Sequence, residues 1–361
     1  MPRHLTNLPL SPALPLLFVL LLPLGLQAIG LHGVRVLDTC LLYVVLALGM
    51  NIVVGYAGLL DLGFIAFYAV GAYAGGLLAS PHLLEQWPAL LTWWPQGLHA
   101  PWWLMLPLSA ALAAACGMLF GAPTLKLRGD YLAIVTLGFG EVVRLLMVNL
   151  VEPINLTGGA KGLGPIDPIR IGGLDLGRPL HIGSVAIAPV TLYAYLLLAF
   201  AAGAIAVSVR VQASRLGRAW MAMREDETAA EAMGLDVRRL KLAAFGLGAG
   251  LAGITGYVFG TWQVFISPEA FSLQESIMVV AMVVLGGPGR VPGVVIAALL
   301  LAGLPEALRY VVGPLQNWSD GRLDAGVLRP LIVAAAMVGT MLWRPAGLWV
   351  GQGRGSALDP G

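Results

Sequence analysis

"RVLDTCLLYVVLALGMNIVVG", residues 35–55, decides the fold class of this chain. Apolar residues run through it almost unbroken, over about the 20 positions a helix needs to cross a ~30 Å hydrocarbon core. A transmembrane β-strand would alternate apolar and polar residues instead. Ten such runs occur, near 12–31, 35–55, 61–80, 102–122, 130–151, 188–209, 239–263, 272–287, 290–313 and 327–343. The eighth is short for a full span and reads as a broken or re-entrant piece, acceptable only where protein or a cavity covers its ends.

Composition agrees. Of 361 residues, 58% are hydrophobic and only 11% charged, against about 25% charged in soluble domains. A packed aqueous core cannot absorb that much apolar surface, whereas lipid can. The expected fold class is therefore all-α, a polytopic membrane protein of about ten transmembrane helices. The net charge of +2 is too small to argue for nucleic acid. The two cysteines, Cys40 and Cys116, sit inside apolar runs and suggest neither a disulfide framework nor a metal motif. The five histidines are scattered without ligand spacing, and no Ser, His or Cys constellation supports a membrane enzyme.

Arg3 and His4 precede an apolar run from Leu14 to Gly30, as in a secretory signal. "LQAIG" fits a cleavage site poorly, so the run reads as a retained first span. With the N-terminus inside, ten spans place thirteen Lys and Arg residues in the cytoplasm and seven outside, with Arg144 within a span. That bias agrees with the positive-inside rule, and both termini are expected to be cytoplasmic. The chain reads as one transmembrane domain over 1–350, with an outer loop at 152–187, a cytoplasmic segment at 210–238 and a short cytoplasmic tail at 351–361.

The cytoplasmic segment concentrates the charge. In "RAWMAMREDETAAEAMGLDVRR" (218–239), Leu216, Trp220, Met223, Ala230 and Met233 recur at helical spacing, interrupted by Glu227. Arg224, Glu225, Asp226 and Glu231 lie mainly elsewhere around the helix. Gly234 stands where a helix commonly ends, and Asp236 can cap the next one. The pattern predicts a short amphipathic helix outside the membrane. It would either lie on the lipid surface or enter a groove on a cytoplasmic partner. The chain has no P-loop: "GGPGRVPG" (286–293) lacks the lysine, and "TGGAKGLG" (157–164) has its lysine misplaced. If ATP drives this protein, another chain hydrolyses it.

"GRAWMAMREDETAAEAMGLD" (217–236) resembles the cytoplasmic loop of permease subunits of bacterial ABC importers for branched-chain amino acids. The resemblance extends to "NIVVGYAGLLDLGFIAFYAVGAYAGGLL" (51–78), "LKLRGDYLAIVTLGFGEVVR" (125–144), "TGGAKGLG" (157–164), "SLQESIMVVAMVVLGGPGRVPGVVIAALL" (272–300) and "WRPAGLW" (343–349). Their order and spacing suit the LivM-type subunit rather than its LivH-type partner. The resemblance implies a multi-pass protein of the bacterial inner (plasma) membrane that forms half of a translocation path. It implies as partners a second, LivH-type permease, two cytoplasmic ATPase subunits that use ATP and Mg, and a periplasmic amino-acid-binding protein. No cofactor is expected on this chain itself. Arg218, Trp220, Met223, Arg224, Glu225, Glu227, Glu231, Met233 and Gly234 would then couple the chain to the ATPases. Asp61 and Arg290 replace smaller residues common in relatives, which touches substrate assignment, and urea or small-amide importers share the architecture.

The remaining blocks have physical readings of their own. Gly55 and Gly58, like other glycines among the aromatics, allow close helix approach or a break where a path forms. Phe64, Phe67 and Tyr68 could line an apolar path or simply face core or lipid, and Asp61 could cap the third span. Glu141 would lie eleven residues into its span, about 16 Å deep, with Arg144 on the same face three residues on. Such charges face protein or water, as a structural pair between helices or as a polar contact in the path. Glu306 and Arg309 repeat the spacing. Glu141, Asp61 or Glu306 could alternatively carry protons in a secondary transporter, but the cytoplasmic helix would then have no task. The outer loop reads as a small hairpin or cover.

Overall fold

The computed structural model describes residues 13–87, 99–124, 127, 129–152, 155–183, 185–318, 331–335, 338, 339 and 342. The chain termini, the 343–349 tail motif and most of the tenth apolar run fall outside these residues.

The helices are α1 (Ala13–Ile29), α2 (Leu31–Met50), α3 (Ile65–Leu78), α4 (His82–Gln86), α5 (Trp102–Thr124), α6 (Asp130–Asn149), α7 (Pro189–Ala213), α8 (Arg215–Glu225), α9 (Glu227–Ala232), α10 (Val237–Gln263), α11 (Leu273–Gly286) and α12 (Val291–Trp318). α2 runs directly into a π-helical turn, Asn51–Tyr56. Among the described residues, six helices are long and apolar enough to span a membrane: α2 with its π turn, α5, α6, α7, α10 and α12. α2 and α10 form the centre, with 78% and 61% of their apolar windows buried, whereas only 28% of α5 and of α6 is covered.

Three of the expected spans differ among the described residues: the first run is a 17-residue helix, α1, and the third and eighth are shorter still. The eighth run is a 14-residue helix, α11, as its shortness suggested. The third run, which reads as a full span, is also only 14 residues of helix, α3, because residues 57–64 form no helix. Gly58 adopts φ +72° there, which an L side chain resists.

The two short helices follow the two central long ones in opposite senses. The end of α2 meets α8, since Arg224 reaches Gly55, and α8 also meets the start of α10, since the Trp220 indole N–H donates to Leu240 O at 2.8 Å. Beyond α3, Ala79 O accepts from Asp167 N at 2.8 Å, and beyond α10, Leu163 and Ile266 form a bridge in the same loop. α2 and α10 therefore run antiparallel. Each is followed by a stretch without α-helix, which after α10 includes a 3-10 turn at Pro268–Phe271, and then by a 14-residue helix that turns back. The packing is close: a Cβ on Gly256 of α10 would lie 2.1 Å from Tyr68 O of α3, so only glycine fits.

The loop 155–187 carries two antiparallel hairpins rather than one. β1 (Arg170–Ile171) pairs with β2 (Leu174–Asp175), and β3 (Leu180–Ile182) with β4 (Val185–Ile187). It is an ordered clamp: Tyr193 of α7 accepts from Ile169 N at 3.1 Å and donates to Thr261 O of α10 at 3.0 Å.

Candidate functional site

The segment expected to be one rigid helix is two. Asp226 breaks it with extended backbone, φ −153° and ψ 110°, and caps the second piece by accepting from Thr228 N and Ala229 N. Ser214 caps α8 by accepting from Gly217 N at 3.2 Å. Gly234 follows α9 with φ +83°, the left-handed stop its position suggested, and Asp236 accepts from Arg239 N at the head of α10.

The orientation of the apolar ridge corrects a second expectation. Trp220, Met223 and Ala230 do not point away toward a partner. They are buried against Ile52, Tyr56, Leu132, Val237 and Phe245 in a secondary core beneath the bundle. The indole has no free polar edge, because its N–H is used by Leu240 O. Glu227 also faces the chain: it pairs at 2.7 Å with Lys241, whose side chain is 4% exposed. The residues left on the open side are Arg218, Glu225, Glu231 and Met233, the last 84% exposed, with Leu216 at the edge.

Arg224 links this helix pair to the end of α2 and to the turn after α11. Its Nη1 donates to Gly55 O at 2.6 Å, in the π turn that ends α2, and to Pro288 O at 3.5 Å, in the turn after α11. Asn51 Oδ1 accepts from Gly289 N at 2.8 Å, and the Gln212 side chain donates to Gly289 O at 3.3 Å. A Cβ at Gly55 would lie 2.0 Å from Asn51 Oδ1 and 2.4 Å from Gly289 N, and one at Gly58 would lie 2.7 Å from Arg224 Cγ. Gly55 and Gly58 thus belong to this junction, beside a cavity of about 240 Å³ that Gly58, Arg224, Glu227 and Lys241 help to line. Sequence reading left them open between close helix approach and a break where a path forms.

The aromatics read as lining an apolar path or facing core or lipid are closed in. Phe64, Phe67 and Tyr68 are 0%, 5% and 4% exposed, and Tyr68 packs on Phe259 and Phe271. Asp61 is buried and accepts from Gly63 N at 2.8 Å, so it shapes the turn into α3 without capping the helix from its first residue. Glu141 and Arg144 pair within α6, with Arg144 Nε 3.0 and 3.1 Å from the two carboxylate oxygens. The pair does not bridge two helices, and it is not enclosed: the side chains are 42% and 30% exposed. Glu306 and Arg309 join His32 of α2 in an edge cluster instead. Two ionisable groups passed over in the sequence prove buried or bonded at membrane depth. Asp38 of α2 is fully buried, and Glu275 of α11 accepts from the Tyr43 hydroxyl.

No cluster of potential metal ligands occurs among the described residues. The described part of the chain is thus a helical bundle with the α8–α9 helix pair fastened to the ends of α2 and α11.

Comparison with known proteins places this architecture. The family described as "branched-chain amino acid transport system / permease component" matches residues 34–342. The chain is 39% identical over 321 residues to the high-affinity branched-chain amino acid transport system permease protein LivM of Escherichia coli strain K12, covering 85% of this chain and 68% of that one. It is 26% identical over 333 residues to a probable LivM of Methanocaldococcus jannaschii, covering 85% and 90%. The permease LivH of the same Escherichia coli strain is 33% identical over 104 residues, 29% of this chain and 33% of LivH. No solved structure matches significantly. With the family match over residues 34–342 laid over a bundle of helices long enough to span a membrane, this chain belongs to the family of permease components of branched-chain amino acid transport systems.

Proposed function

We propose that this chain is the LivM-type permease of an ATP-driven, binding-protein-dependent importer that carries leucine, isoleucine and valine across the bacterial inner membrane. It pairs with a LivH-type permease, which the partial likeness to LivH supports. Two ATPases dock on the α8–α9 side, and a periplasmic binding protein delivers substrate to the hairpin side. The chain performs no catalysis and carries no nucleotide-binding motif.

The observation that carries this reading is the Arg224 junction. The helix pair offers Arg218, Glu225, Glu231 and Met233 outward, while Trp220, Met223 and Arg224 fasten it to the π turn of α2 and the turn after α11. A push on its outer face is thereby delivered to the ends of α2 and α11 at once. A proton-driven transporter would have no use for such a lever.

The test is reconstitution with the second permease, the ATPases and the binding protein in proteoliposomes. Leucine uptake that requires internal ATP and external binding protein is the expected result. Uptake that persists without ATP and collapses with a proton uncoupler would replace the reading with secondary transport. Urea carried in place of leucine would change the substrate.

A further inference from the structure

We propose that Glu141, Arg144 and Gln274 line a water-filled site for a zwitterionic aliphatic amino acid, on the face that this chain turns toward its second permease. The inference rests on the importer reading and adds the residues that meet the substrate.

Depth comes first. α6 begins on the α8 side, where Gly129 shares a cavity with Arg224. Eleven residues on, Glu141 is about 16 Å from that end. α11 ends on the same side, and Gln274, twelve residues before Gly286, is about 18 Å from it. Both therefore lie near the middle of a ~30 Å core.

The two helices also lie together. The backbone at Leu62 is wedged between the two helices: Leu62 N donates to Thr136 Oγ1 of α6 at 3.0 Å, and Ser276 Oγ of α11 donates to Leu62 O at 2.5 Å. A Cβ on the next residue, Gly63, would lie 2.1 Å from Thr136 O. In addition, α6 packs against the 3-10 turn Pro268–Phe271 that leads into α11.

Exposure then decides the surroundings. Glu141 and Arg144 are partly open, and Gln274 is exposed. An ion pair and a carboxamide at mid-depth are costly against acyl chains and belong beside protein or water. Around them Val142, Leu145 and Ile277 are 50%, 46% and 44% exposed, and supply apolar surface. The pair is bonded to itself, so it is balanced when empty. A zwitterion presents the matching opposite charges on one carbon: its carboxylate can take over Arg144 while its ammonium takes Glu141. Neutral urea offers no such exchange, so the face favours an α-amino acid.

The experiment uses the complete complex in proteoliposomes, with Cys40 and Cys116 replaced. Gln274→Cys is exposed to a charged, membrane-impermeant methanethiosulfonate, and Leu119→Cys, on the apolar and 67% exposed surface of α5, serves as the reference. Gln274→Cys should react at least about tenfold faster, as water contact rather than hydrocarbon demands, and leucine delivered by its binding protein should slow it. Reaction no faster than the reference, or untouched by leucine, overturns the proposal in favour of a lipid face or a dry subunit contact. Separately, Arg144→Gln should lower leucine uptake by about tenfold or more, the loss expected for one charge-assisted hydrogen bond. Subunit co-purification should stay at the wild-type level, and Arg144→Lys should recover part of the uptake. Undiminished uptake in Arg144→Gln also overturns it. A wild-type complex that carries no leucine counts against the importer reading instead, and the labelling of Gln274→Cys can still be scored.

Discussion

Arg224 of α8 donates a 2.6 Å hydrogen bond to the carbonyl of Gly55, inside the π-helical turn in which α2 ends. The α-helical register is lost at that turn, which leaves backbone carbonyls in need of outside donors. A guanidinium from the extramembrane helix pair supplies one.

Arg224→Ala should therefore weaken the junction by about 1.5–3 kcal/mol, the range for a hydrogen bond to a charged group. In the reconstituted complex, ATP hydrolysis should continue while leucine uptake falls, because the lever no longer grips α2. Retention of tightly coupled uptake would show that the bond is decorative.

Gly58→Ala places a side chain at φ +72° and against Arg224 Cγ. The left-handed backbone alone costs roughly 1–2 kcal/mol. Thermal unfolding of the detergent-solubilised complex should shift downward, and Gly138→Ala, where a Cβ meets nothing within 4 Å, should leave it in place.

Lys241 and Glu227 tie α9 to α10 through a 2.7 Å contact, with the lysine almost wholly buried. Glu227→Ala leaves that ammonium without its carboxylate and should destabilise by about 3 kcal/mol. The double variant with Lys241→Met should regain much of the loss, which a melting comparison of the three variants would reveal.

Trp220 and Met233 separate anchoring from docking. Trp220→Ala empties a fully buried site and should cost about 3–5 kcal/mol. Met233, 84% exposed, should tolerate alanine within about 0.5 kcal/mol, yet lose affinity for the ATPases in co-purification. Equal ATPase retention with Met233→Ala and Met233→Asp would move the docking surface elsewhere.

Much of the bundle was readable because run length is a direct physical signal. The stretch 35–55 has to be helical in lipid, since no other open structure satisfies its backbone. The break at 57–64 was not readable in the same way. Leu59, Leu60 and Leu62 are as apolar as any span residue, and the interruption comes from Gly58 and from the wedge between Thr136 and Ser276, both tertiary. Likewise, helical spacing found the ridge of Trp220, Met223 and Ala230 but not its direction. An amphipathic stripe looks the same whether it meets its own chain or another one. Asp226 was the local signal passed over, an aspartate directly before "ETAAEA" and thus a cap in the middle of the segment. Glu141 and Arg144 were legible as an i, i+3 pair. Their openness was not, because it depends on which helices fail to cover α6.

The opposed pairing of long and short helices also bears on how the chain enters the bilayer. At 14 residues, neither α3 nor α11 reaches the length that holds a helix across hydrocarbon on its own. α3 packs chiefly on α5 and α10, and α11 on α12 and α2, rather than on the helix translated just before it. α3 therefore gains most of its support only once α10 has been made, and α11 only once α12 has followed. Truncation ahead of α10 would leave α3 without its main packing partner.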